Sequence, residues 1–218
     1  MGVFLGTTYR MHSKVNQFIS EHIYEGKLES HPSNDKRIID VPSDYEGPLN
    51  IEAGVLFVPV EHEGNTQASD EEVAVIRELA NSLIGRKFFT GKEHTGKSSP
   101  ETRPIDWNDI LFVAPYNHQV SKLRAALGEQ AKVGSVDKFQ GQEAPIVFLS
   151  MCASDASESP RGLDFLFDKH RINVAISRAQ SLAVVVGNPN IGKTPVSRVD
   201  QLKLVNLFNA IRCVGEKS

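Results

Sequence analysis

Residues 146–151 read IVFLSM, an almost unbroken apolar run. A strand with one wet face alternates apolar and polar residues, so a continuous run points to burial on both faces, as in a parallel sheet covered by helices. Working outward, LAVVVG at 182–187, residues 110–114, residues 132–136 and VLFVPV at 55–60 read as further strands. Between them the period becomes helical. Ser69-Asp-Glu-Glu72 has the S-x-x-E form of a capping box ahead of Val73, Ile76, Leu79, Ala80 and Leu83. Tyr116–Leu127 reads as an amphipathic helix closed by Gly128, and 162–179 as a mixed helical stretch. A last helix spans about 198–212, and another starts near Ser13. Residues 90–106, rich in Gly, Lys, Thr, Ser and Pro, read as an exposed loop, so 61–106 is expected to be a variable region around one helix. The expectation is one α/β domain over residues 1–218, with ligands met at the carboxyl ends of its parallel strands.

The composition fits that reading. The 218 residues hold 24 Lys and Arg against 27 Asp and Glu, a formal charge of −3, with 40% hydrophobic and 23% charged residues. That is globular composition, and it excludes a wholly disordered or fibrous chain. No apolar run approaches the roughly 20 residues of a membrane span, and MGVFLGTTYRMHSK lacks the basic head of a signal peptide. Two cysteines, Cys152 and Cys213, are too few for a disulfide framework or a zinc site, so no metal ligands are expected and a reducing cytoplasm is. Mild acidity disfavours a free-standing nucleic-acid binder but leaves room for one face that meets a phosphate backbone.

Gly187–Thr194 fits G-x-x-x-x-G-K-T letter for letter after an apolar strand. A working phosphate loop needs a helix to begin at once, so that its N–H groups face the phosphates. Here Pro195 delays the helix to about Arg198, Pro189 stiffens the loop, and the 24 residues after Thr194 hold no strand for a magnesium-binding acid. The expectation is a plain strand-to-helix turn.

Three other segments hold arginine and glutamine where chemistry needs them. Thr8-Tyr9-Arg10-Met11-His12 sets an aromatic beside an arginine at a helix entry, where the pair can stack a base and meet a phosphate; the plainer reading is a surface arginine beside a packed tyrosine. Ser135-Val-Asp-Lys138-Phe-Gln140-Gly141-Gln-Glu143 crowds polar groups between two strands, where the alternative is a solvated turn over Phe139. On a helix, Arg171–Ala179 would put Ile172, Ala175 and Ala179 against the sheet and Arg171, Val174 and Arg178 on another face. A solvated cationic stripe would look the same.

In this order, TTYRMHSKVNQFISEHIYEGKL, VGSVDKFQGQEAPIVFLSM and RINVAISRAQSLAVVVGNP resemble motifs IV, V and VI of superfamily 1B helicases, in the branch of the nonsense-mediated-decay helicase and bacterial nuclease–helicase fusions. DILFVAPYNHQVSKLRAAL resembles the strand and helix between motifs IV and V. The resemblance implies a second RecA-like domain, a three-layer sandwich of the P-loop NTPase fold, in a fragment of a larger motor. ATP and Mg2+ would then belong to a site shared with a first RecA-like domain, which supplies the Walker lysine and the metal acids. It further implies that Tyr9 stacks the base, Arg10 reaches the terminal phosphate and Arg178 is an arginine finger. Glu143 would accept from the ribose with Gly141 allowing close approach, Gln140 would couple nucleotide to nucleic acid, and Arg171 would support the finger. Single-stranded nucleic acid, DNA by the nuclease–helicase likeness, would touch Pro115, Tyr116, Asn117, Ser135 and Lys138 through backbone and stacking contacts. Ser135 stands where threonine is commoner, and Gln180 where a second basic residue often follows the finger. The competing readings are a non-catalytic RecA-like interaction domain and a self-sufficient phosphate-loop NTPase using Lys193.

Overall fold

The computed structural model describes residues 6–93, 100–155, 161–166, 168–196 and 198–215. The chain opens with β1 (Thr7–Thr8), α1 (Ser13–Ile23), β2 (Glu29–Ser30) and β3 (Arg37–Ile39). There follow β4 (Gly54–Pro59), α2 (Asp70–Leu83), β5 (Lys87–Glu93), β6 (Pro100–Pro104) and β7 (Ile110–Val113). The second half runs α3 (Asn117–Leu127), β8 (Lys132–Gly134), β9 (Ala144–Ser150), α4 (Gly162–Leu166), α5 (Lys169–Ile176), β10 (Ala179–Gly187) and α6 (Val199–Gly215).

Five of these strands form a parallel sheet in the order β4-β10-β9-β7-β8. Alternate residues point to opposite faces. Leu111, Val113, Val147, Leu149, Ala183 and Val185 join the core beneath α1, α5 and α6. Ile110, Phe112, Ile146, Phe148, Leu182 and Val184 join the core beneath α2 and α3. The continuous apolar runs are therefore strands buried twice over, in the three-layer α/β architecture of a RecA-like domain.

Three expectations change. Residues 90–106 are not simply a loop: β5 pairs antiparallel with both β3 and β6, with residues 94–99 outside the described set. Phe88 and Ile105 anchor this hairpin in the core, and Arg103 grips Asp109 through both guanidinium Nη atoms. The sparse apolar residues on one face suffice because the hairpin packs by its ends. The stretch 162–179 is two short helices, and the second stops at Ile176, so Ala179 opens β10. Arg178 thus sits in a turn rather than on a helical stripe with Arg171 and Val174. The capping box is half made. Ser69 Oγ accepts from the Glu72 N–H at 3.0 Å, but the Glu72 carboxylate turns into the core.

Candidate nucleotide and nucleic-acid site

The three arginine- and glutamine-bearing segments meet at the amino ends of β9 and β10, not at the carboxyl ends that the fold class suggested. The loop before α1 is tied down from several sides. His12 N donates to Gln180 O at 2.8 Å, Asn34 Nδ2 donates to Thr8 O and Met11 O at 3.0 Å each, and Arg37 Nη1 donates to Arg10 O at 2.8 Å. Held there, Arg10 Nε lies 2.6 Å from Glu143 Oε2, and Arg10 Nη1 reaches Ser177 O at 3.4 Å. Gln180 Nε2 donates to the other oxygen, Glu143 Oε1, at 2.8 Å. Arg178 O accepts from Ala144 N at 3.1 Å, which fixes its turn to the root of β9.

The charges in this cluster are unevenly answered. Arg178 Nε is buried and has no hydrogen-bond partner among the described residues. Burial, and next the Arg10 charge, lower the Arg178 guanidinium, while Glu143 opposes the shift. Burial alone would raise the Glu143 carboxyl, but hydrogen bonds from Arg10 and Gln180 outweigh it and hold it below the ordinary carboxylate range. Tyr9 is 67% exposed and stacks one face on His31, with ring centroids 4.5 Å apart and planes 25° apart. Its other face is open to solvent. Gly141 turns at φ +84° on the surface, with no atom within 4 Å of where a Cβ would stand, and Gln140 beside it is exposed. The arrangement offers guanidinium donors, an aromatic face and a carboxylate side by side, a set that suits a nucleoside triphosphate.

At the opposite, carboxyl ends of the strands, Pro115, Tyr116, Asn117 and Ser135 line an open groove of about 360 Å³ with Gln67, His118, Asp137, Arg161 and Arg171. Two expected contacts are placed differently. Tyr116 is 5% exposed, its ring packed on Phe165 at 5.1 Å, so it shapes the groove wall instead of offering a stacking face. Lys138 Nζ donates to Val133 O at 2.9 Å, which turns that charge back on its own domain. Arg171, lying over the Phe165 ring at 4.2 Å, belongs to this groove. It stands at the start of α5 and Arg178 beyond its end, so Arg171 does not buttress Arg178. Gln67 and Arg161 are groove residues that no sequence pattern marked, and Asp137 is a groove residue from the Ser135–Glu143 segment that was given no role.

One segment joins the two ends. Gly134 is level with Val113, which pairs with Leu149 near the top of β9. From there Ser135–Glu143 runs back down to Ala144, so Ser135 lies in the groove and Glu143 in the arginine cluster. The loop after β10 plays no comparable part. Pro189–Lys193 winds into a 3-10 turn, Lys193 Nζ bonds Asn190 Oδ1 at 2.9 Å, and Thr194 Oγ1 donates to Ile191 O at 2.8 Å. These contacts consume the groups a phosphate would need, and α6 begins only at Val199. Among the described residues, no group of three or more His, Cys, Asp or Glu side chains is placed to hold a metal ion, and no helix is long and apolar enough to cross a membrane.

A family model described as an AAA domain matches residues 2–190. The chain belongs to this family. Its relatives identify the branch: it is a C-terminal superfamily 1 helicase domain. The chain is 30% identical over 202 residues to the DNA polymerase alpha-associated DNA helicase A of Saccharomyces cerevisiae, covering 85% of this chain and 27% of that protein. It is 27% identical over 191 residues to the Regulator of nonsense transcripts 1 homolog of Drosophila melanogaster, covering 86% and 15%. To Helicase SEN1 of Saccharomyces cerevisiae it is 30% identical over 199 residues, covering 84% and 8%. The helicase domain thus spans about a quarter or less of these relatives. In this helicase domain the matched span includes all three converging segments and both ends of the sheet.

Proposed function

We propose that this domain is the second half of an ATP-driven single-strand motor, completing an ATP site shared with a first RecA-like domain that lies outside these 218 residues. The observation that carries the reading is the convergence of Arg10, Glu143 and Arg178, with a buried Arg178 Nε that no group among the described residues satisfies. A buried guanidinium N–H without a partner is costly unless a ligand supplies one. The triphosphate is such a ligand. Arg178 stabilises charge that develops on the transferring phosphoryl group, and Arg10 leaves Glu143 to meet the terminal phosphate. Glu143 then accepts from the ribose hydroxyls, and the open face of Tyr9 takes the base. Mg2+ would be held by the first domain and would supply countercharge to the phosphates. Single-stranded nucleic acid follows the groove at Pro115, Asn117 and Ser135, mostly through its phosphate backbone. The Ser135–Glu143 segment, with Gln140 in it, conveys the state of one site to the other. DNA is the proposed track, and the cytoplasm the proposed compartment.

The test uses the complete protein. Arg178→Ala is expected to lower kcat by on the order of 10³ while nucleotide affinity stays nearly intact, since a finger acts mainly in the transition state. Tyr9→Ala is expected to raise KM and spare kcat. Arg178→Lys rescues poorly, because a point charge lacks the planar fork. Unchanged kcat in a folded Arg178→Ala protein refutes the assignment. Residues 1–218 alone are expected to hydrolyse no ATP above background; nucleic-acid-stimulated turnover by them would revive the Lys193 reading.

A further inference from the structure

A second polar constellation is centred inside the domain, and nothing in the nucleotide reading uses it. Glu72 and His62 have fully inaccessible side chains, with His62 Nε2 3.0 Å from Glu72 Oε1. Ser150 Oγ donates to Glu72 Oε2 at 2.6 Å, and Cys152 N donates to both carboxylate oxygens at 3.0 Å. A carboxylate only accepts, so His62 donates through Nε2 and its Nδ1 is left to Ser154 Oγ at 2.7 Å. The serine, histidine and glutamate are not a hydrolytic triad. Ser154 Oγ already accepts from Asn65 N at 3.0 Å, and both partners behind it are sealed from solvent.

The network ends at the groove. Ser150 Oγ, which gives its proton to Glu72, accepts from Gln119 Nε2 at 2.9 Å. Gln119 sits in the first turn of α3, two residues after Asn117, and it grips Ser69 twice: Nε2 donates to Ser69 O at 3.2 Å and Oε1 accepts from Ser69 N at 2.9 Å. Ser69 closes the loop that presents Gln67 to the groove. Cys152, held by Glu72, is a non-glycine residue at φ +54°, a sparsely populated conformation that persists only where the surroundings enforce it. A buried carboxylate therefore fixes, through one hydroxyl and one amide, the relative positions of two walls of the single-strand groove.

We propose that Glu72 is a positioning residue for nucleic-acid binding, acting through Ser150 and Gln119 to hold the Gln67 loop against the start of α3. The inference rests on the functional reading above, because it takes the groove as the single-strand track. Tight recognition of a backbone depends on contacts held to a fraction of an ångström, and loosening the support behind them weakens binding without touching the ligand.

The experiment titrates the ATPase of the complete protein with oligodeoxythymidylate and, separately, oligouridylate. Glu72→Gln keeps the shape but puts an amide where carboxylate oxygens took three sets of donors. It is expected to raise the half-saturating oligonucleotide concentration about tenfold while KM for ATP stays within twofold. Ser150→Ala removes the relay hydroxyl and leaves the charge, and is expected to shift the same constant in the same direction by less. A half-saturating concentration unchanged in folded Glu72→Gln overturns the proposal. If that variant does not fold, the same result in Ser150→Ala overturns it. An equal rise in KM for ATP also overturns it, because a purely structural network loosens both sites together. Should neither oligonucleotide stimulate the unmutated protein, the motor reading itself fails and this inference falls with it.

Discussion

At the scale of single residues, the least expected finding is how Glu143 spends its two oxygens. Arg10 takes one and Gln180 the other, so both oxygens are already engaged within the domain. Gln180 satisfies the acid without adding charge, which matters beside two guanidinium groups already in mutual repulsion. The Glu143–Arg10 pair is substantially exposed, at 42% and 35%, so its removal by Glu143→Gln should change stability at neutral pH by under about 1 kcal/mol. Because the folded Glu143 carboxyl titrates below its unfolded value, this contribution is full above the ordinary glutamate range near ~4.3 and vanishes as pH falls through the lowered value. Thermal melts of both proteins should converge on acidification; a gap that widened would contradict the pairing. Cysteine chemistry gives a second check. Burial, and then the Glu72 carboxylate, push the Cys152 thiol well above its usual range, whereas Cys213 is exposed. Iodoacetamide should label the native chain once, at Cys213, and a second adduct at Cys152 by mass spectrometry would show that the Glu72 region opens. Tyr9, Arg10, Glu143 and Arg178 were legible in the sequence because their segments occur in a characteristic order. Glu72 was not. Its S-x-x-E setting accounts for it locally as a cap, and only the fold shows that its carboxylate points inward.

Elements were easier to read when they were buried on two faces. β4, β7, β9 and β10 announce themselves through continuous apolar runs, and α2 and α3 through clean helical periods. β5 and β6 were missed because a peripheral antiparallel pair buries little beyond Phe88, and its polar residues look like those of a loop. The end of α5 was missed for a different reason: Ile176-Ser-Arg-Ala-Gln180 holds neither Gly nor Pro, so no breaker residue marks the turn that carries Arg178. That turn explains why Arg178 can approach Arg10 at all, since a continued helix would have carried it elsewhere. The G-x-x-x-x-G-K-T stretch shows how a motif fails without its element. A 3-10 turn occupies the place where a helix should begin, and the lysine caps its own neighbour. Lys193→Ala should therefore leave the complete motor's ATPase within about twofold and its stability within about 0.5 kcal/mol. A loss of several orders of magnitude in turnover would restore the loop to the mechanism.

For the whole molecule, the proposed function assigns one sheet two chemistries, one at each of its ends. The arginine cluster gathers at the amino ends of β9 and β10, the groove at the carboxyl ends of β7 and β8, and Ser135–Glu143 spans the distance between them. The expectation of a single functional edge came from open sheets that bind a ligand alone; a domain that completes its nucleotide site with a neighbour has no need to place it there. The strand order has a different consequence, for how the chain is made. β10 lies between β4 and β9, and β4 pairs with no other strand of that sheet among the described residues. During synthesis β4 leaves the ribosome long before its only partner exists, and β9 waits with one apolar edge open. A nascent chain stopped at Arg178 should therefore lack a cooperative thermal transition and bind chaperones or aggregate, while residues 1–218 melt as a unit. Among the described strands β10 emerges last, and it is the one that joins β4 to the β9-β7-β8 unit.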